Sequence, residues 1–172
     1  MNVKKLIGLV IAILIIIVSV TAYINKKDIE DKLTLQREAT FIIKNEGKEI
    51  TRYNMEEIRS LGEEEFNANL NKDGKEPIAY SYTGVLLKKL FKEKGIKLKD
   101  KSTVIVRATD GYTVAIPIKK VLQEGNVYIA YMKEGKPIGT REEGGKGPYQ
   151  IIISKDKFSQ HWCKYALEAE VK

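Results

Sequence analysis

Cysteine and histidine are almost missing from this chain, whose 172 residues hold one of each, Cys163 and His161. A lone cysteine excludes an intrachain disulfide, and one Cys with one His cannot supply the ligands of a structural zinc site. Neither residue can be built into a nucleophile with a base partner, and no Gly-x-Ser-x-Gly element occurs. Gly144-Gly-Lys-Gly147 lacks the Ser or Thr and the helix that a phosphate loop needs. Long clusters of positive charge are also missing. From Leu33 onward 25 Lys and Arg are interleaved with 20 Asp and Glu. That leaves a mild basic bias, suited to an anionic membrane surface or wall polymer, and excludes a nucleic-acid footprint. No repeat or low-complexity segment breaks the chain. Without cross-links, the domain must stand on its hydrophobic core.

What is present begins with an apolar run. Leu6 to Ile24 carries no charge and follows Lys4 and Lys5; at about 1.5 Å per residue it spans roughly 28 Å as a helix, close to a bilayer's hydrocarbon thickness. Two readings compete: an uncleaved anchor, and a signal peptide cut after Ala22. The run is longer than a signal peptide's apolar region and has no polar region behind it, which favours the anchor. Lys4 and Lys5 place the N-terminal side inside, although Lys26 and Lys27 oppose that bias. The expected organisation is a membrane anchor over 1–25, a charged stalk over 26–39 and a single domain over 40–172.

Within the domain, Phe41 to Ile43 and Glu49 to Tyr53 flank a Gly47 turn and predict a hairpin. Asn54 with Glu57 forms a capping-box pattern ahead of a short helix that stops at Gly62. Glu65 to Leu70 alternates as a strand does, Asn71 to Gly74 reads as a turn, and Ile78 to Tyr82 predicts the next strand. Thr83 is placed to cap a helix with Leu86, Leu87, Leu90 and Phe91 on its apolar face, Lys88, Lys89, Lys92 and Glu93 on the other, and Gly95 at its end. The β-branched runs from Val104 to Ile118 hinge on Asp110-Gly111, and a short helix follows to Gln123. Val127 to Met132 is a strand, Glu134-Gly135 a turn, and Gly139 to Pro148 a mobile loop. Ile151 to Ile153 is a buried strand. From Cys163 to Val171 a period of two puts Cys163 on the apolar face of a last strand. The sum is an α+β domain with mainly antiparallel sheets and short helices, preceded by one N-terminal transmembrane helix.

Four blocks carry a resemblance: Tyr82 to Leu90, Val104 to Ile118, Val127 to Ile138, and Gly147 to Ile153. In this order and spacing they resemble the oxidoreductase molybdopterin-binding domain, the fold of the sulfite oxidase family, from about Ile50 onward. The resemblance implies a metal held by a pterin dithiolene and one cysteine thiolate from the segment upstream of the Thr-Gly-Val block. That segment here, Glu65 to Gly74, contains no Cys. A soft thiolate donor is what such a metal needs. Cys163 lies in another block and reads as a small buried hydrophobe. The resemblance also implies that exported members cross the membrane folded behind a twin-arginine signal, where this chain has Lys4-Lys5 and a very apolar run.

Tyr112 matches the family's tyrosine beside the metal, where a phenol can hydrogen-bond an anion; cross-strand packing explains a strand tyrosine equally well. The family's anion-binding arginine is replaced by Gln150, a neutral amide. Arg107, Arg141 and Lys146 remain as cations near the expected cleft, with a solvated surface as the plainer reading of each. With Tyr112 and Tyr149 they form the candidate ligand cleft. No catalytic residue and no metal ligand is assigned. The expected function is a non-catalytic binding or accessory module at the cell membrane, single-pass, with its domain on the extracytoplasmic side. No cofactor is expected, and the ligand is a small anion, a peptide or an envelope protein. The alternative is a molybdopterin-dependent oxidoreductase, or a subunit of one, with atypical metal ligation. A third reading is an envelope scaffold that presents a surface.

Overall fold

A computed structural model describes residues 3–71 and 76–172. The chain divides into two compact units, one reaching to Thr34 and the other covering Leu35–Lys172. Helix α1 (Val3–Arg37) includes Ile7–Lys27, which is long and apolar enough to cross a membrane and has none of its surface buried. Its two hydroxyls are satisfied inside the helix: Ser19 donates to the Ile15 carbonyl and Thr21 to that of Ile17, both at 2.8 Å. Such back-bonding removes the cost of a bare polar group in an apolar environment. The segment expected as a stalk continues this helix as far as Arg37.

The second unit holds two five-stranded sheets. One has the order β2 (Lys48–Tyr53), β1 (Phe41–Asn45), β10 (Ala166–Val171), β5 (Thr103–Ala108), β6 (Thr113–Pro117). Every pair in it is antiparallel except β1 with β10, which is parallel. The other runs β3 (Glu64–Leu70), β4 (Ile78–Leu86), β7 (Val127–Lys133), β8 (Lys136–Pro137), with β9 (Gln150–Ile153) also paired to β7. Short helices α2 (Met55–Ser60), α3 (Leu87–Glu93) and α4 (Ile118–Leu122) fill the connections. The Asn54–Glu57 capping box forms as expected, with Asn54 Oδ1 accepting from the Glu57 amide at 2.9 Å and Glu57 Oε2 from the Asn54 amide at 2.7 Å.

Three expectations fail for reasons of tertiary pairing. Thr83 caps no helix, because it is flanked by Glu65 on β3 and Met132 on β7; ladder bonds on both sides keep β4 extended through Leu86, and α3 starts only at Leu87. Lys88 leaves the polar face of α3: it is buried and ion-paired with Glu124. The last strand does not alternate between core and water, since all six residues of β10 are buried between β1 and β5. Its carboxylates are compensated. Glu168 pairs with Lys44 at 2.6 Å and Arg107 at 2.6 Å, and Glu170 with Arg107 at 2.9 Å and Lys172 at 3.4 Å. Buried charge is tolerated when matched in this way. The turn expected at Asn71 to Gly74 lies, beyond Asn71, outside the described residues.

Gly84 is fixed by close approach. A Cβ there would stand 2.4 Å from the Ile129 carbonyl oxygen on β7, at the bulge that separates Thr83 from Gly84 in the register. Only a glycine lets the two backbones meet at that distance.

Candidate functional site

The Asp110-Gly111 hairpin between β5 and β6 forms with Gly111 at φ +87° and the Asp110 carboxylate accepting from the Tyr112 amide at 3.0 Å. This side-chain-to-backbone bond is what an Asp at a turn provides. It holds Tyr112 at the mouth of a cavity of about 470 Å³, into which Trp162 and Phe158 also project. The Tyr112 hydroxyl donates to the Gln160 carbonyl at 2.9 Å. Burial first, and the nearby Cys163 second, raise its phenol above the ordinary value, so it stays a neutral donor.

A second cavity of about 260 Å³ adjoins the first, and Leu70, Gln150 and Lys164 line both. Its own walls include Lys133, Lys146 and Tyr82. Lys133 Nζ sits 3.2 Å from the centroid of the Tyr80 ring, a cation–π arrangement. Burial holds its pKa below the usual lysine value, against the opposing pull of Glu134. Tyr82 is buried, stacks with Phe66 at 5.9 Å, and meets Trp162 edge-on at 5.9 Å. The Tyr82–Trp162 contact joins a wall residue of the smaller chamber to one of the larger.

The expected cleft residues divide. Tyr112 lines the larger chamber and Lys146 the smaller. Arg107 lines neither, because both arms of its guanidinium are held by Glu168 and Glu170 across the strand pair. Arg141 lines neither and lies 5.5 Å from the Tyr165 ring. Tyr149 is wholly buried: its hydroxyl donates to the Ala39 carbonyl at 2.7 Å and its ring meets Phe41 edge-on at 5.7 Å. Burial drives its pKa far up, which suits a core residue. The residues that replace them, Gln150, Trp162 and Lys164, carried little local signal.

The glycine-rich loop is no phosphate cradle. Its amides are spent within it: Gly144 donates to Arg141, Gly145 to Thr140 at 2.8 Å and Gly147 to Gly139 at 2.7 Å. A Cβ at Gly145 would stand 2.2 Å from the Ile138 carbonyl. The loop expected to be mobile is therefore folded tightly on itself.

A model of the family described as the oxidoreductase molybdopterin binding domain matches residues 31–165. The chain belongs to this family. Among solved structures, the fold is similar to the sulfane dehydrogenase SoxCD from Paracoccus pantotrophus, with a TM-score of 0.60 at 16% identity. The likeness covers 79% of this chain and 38% of that one, so the chain corresponds to well under half of the SoxCD chain. No curated protein matches.

The family binds molybdopterin, and the donor set tests whether its metal fits here. Among the described residues neither chamber is lined by a thiol, histidine or glutamate, and Asp110 is the one lining carboxylate, already engaged by its own turn. Cys163 is wholly buried in an isolated bridge with Ile151, and burial pushes its thiol up to about 12. A thiol so placed is no thiolate at neutral pH. Among the described residues no three His, Cys, Asp or Glu side chains cluster as a metal site would require. The side chains present do not fit the metal half of the family's cofactor.

Proposed function

We propose that the protein is a membrane-anchored, extracytoplasmic binding module on the molybdopterin-binding fold, acting on or beside a partner without a molybdenum redox step of its own. The observation that carries this reading is the placement of Cys163: the chain's one thiol is packed into the core and no sulfur donor faces the two-chambered cleft. The helix Ile7–Lys27 supports the anchor, and Lys4 with Lys5 ahead of it supports an outward-facing domain. Tyr112 and Lys146 serve the cleft in this reading, and the ligand is a small anion, a peptide or an envelope protein.

Elemental analysis of protein purified from its native membrane tests it, with no stoichiometric molybdenum or tungsten expected. Family membership favours the second reading, an oxidoreductase or subunit of one with atypical ligation. A full equivalent of either metal would install that reading in its place. Protease digestion of intact cells tests sidedness: the domain is degraded if it faces outward and survives if it faces the cytoplasm.

A further inference from the structure

Gln150 occupies the junction of the two chambers, is 5% exposed, and makes no side-chain hydrogen bond among the described residues. Its amide is not sealed off as a buried unsatisfied group, so it is open to the cleft, where an entering ligand can hydrogen-bond it. The amide's chemistry narrows which ligand does so well. The Gln oxygen accepts and its nitrogen donates, so a bare anion, which only accepts, leaves the oxygen unmet. A ligand amide offers an N–H and a C=O side by side and meets both.

Charge orders the rest of the cleft. Asp110 lines only the larger chamber, Lys133 only the smaller, and Lys164 borders both. Among the described residues the smaller chamber thus has positive walls with no lining carboxylate, while the larger offers Tyr112, Phe158 and Trp162 to an apolar body. Its volume of about 470 Å³ lies within the range of small-ligand sites.

We infer that the cleft binds a peptide-like carboxylate, with a bulky apolar side chain against Trp162, its amide on Gln150 and its carboxylate beside Lys133 and Lys164. The inference rests on the binding-module reading and names that module's ligand class. Specificity would arise from the amide as much as from the charge, because only a ligand bearing both satisfies the buried glutamine and the lysines together.

Trp162 is the chain's single tryptophan and lines the larger chamber, so intrinsic fluorescence of the full chain in detergent reads binding directly. The probes are acetyl-leucyl-phenylalanine as the free acid, its C-terminal amide, 3-phenylpropionate, which has no amide, and inorganic phosphate. Saturable quenching is expected with the free acid, with the other three each about tenfold weaker or more. Gln150→Met should abolish the preference over phenylpropionate, and Lys164→Ala the preference over the C-terminal amide, both without lowering the melting temperature. Absence of saturable quenching by the free acid, phosphate binding equally well, or preferences untouched by both substitutions would overturn the inference. Metal analysis keeps the two readings apart. Metal-free protein that ignores the peptide acid removes this inference alone, whereas molybdenum in native protein removes the module reading beneath it.

Discussion

The Tyr112 hydroxyl reaches across 48 residues of sequence to donate to the Gln160 carbonyl at 2.9 Å. This bond ties the β5–β6 hairpin to the 3-10 turn Ser159–His161, and both border the larger chamber. Tyr112 is itself 41% exposed. Replacing it with Phe should therefore cost only about 1 kcal/mol or less, while loosening the wall that ligands meet. Thermal melting and Trp162 quenching together check this. A loss of several kcal/mol would make Tyr112 a packing residue and not a cleft residue.

Arg107 bridges two nearly buried carboxylates, so Arg107→Gln should destabilise the domain by about 1–3 kcal/mol near neutral pH. The pH dependence has a definite sign. Burial opposes ionisation of Glu170, but the Arg107 hydrogen bond and the charges of Lys172 and Arg107 outweigh it and hold the carboxyl below its ordinary value. A depressed carboxyl contributes stability above its unfolded pKa, about 4.3, and loses it as pH falls through the folded value. Urea melts from pH 7 down to pH 3 should show a shallower acid decline in the variant than in the parent.

Gly84→Ala drives a methyl group to 2.4 Å from the Ile129 carbonyl, at the centre of the second sheet. Backbone, not a flexible side chain, has to move. A loss of about 2–3 kcal/mol is expected, read from the urea midpoint. A neutral result would show that β4 and β7 can part freely at the bulge.

Cys163 should be inert. With its thiol wholly buried and pushed up to about 12, labelling by a chromogenic disulfide reagent at pH 8 should be undetectable in the folded protein and reach one equivalent in guanidinium. Rapid native labelling would place the sulfur at an accessible surface and reopen it as a ligand.

A chain starting at Leu35 should be released from membranes and melt within about 3 °C of the full protein, because the second compact unit begins there. Persistent membrane association of that fragment would point to a second contact surface.

Local elements were legible in the sequence. The Gly47 and Asp110-Gly111 hairpins and the Asn54 cap depend on residues within a few positions of one another, and all three form as expected. The family resemblance was legible for the same reason, since its blocks are contiguous. The cleft was legible only in part. Arg107 reads as a cleft cation because its partners, Glu168 and Glu170, lie more than 60 residues away, where no local rule finds them. Tyr149 and Gln150 are neighbours, yet one packs into the core and the other borders both chambers, a distinction set by the β7–β9 pairing. In the sequence Gln150 stands out only for the charge it does not carry. Trp162 and Lys164 lie in an irregular stretch between β9 and β10; the period of two that begins at Cys163 predicts a strand there, which forms only from Ala166.

The parallel contact between β1 and β10 joins residues 42–45 to residues 168–171. A nascent chain that has emerged as far as Ile153 already holds every strand of the second sheet, but the first remains two separate hairpins with an empty lane between them. Until β10 arrives to fill that lane, Arg107 and Lys44 have no carboxylates to meet and the edges of β1 and β5 stay open. Completion of the first sheet therefore waits on β10, and until then the facing edges of β1 and β5 present unpaired backbone groups of the kind that invite edge-to-edge pairing.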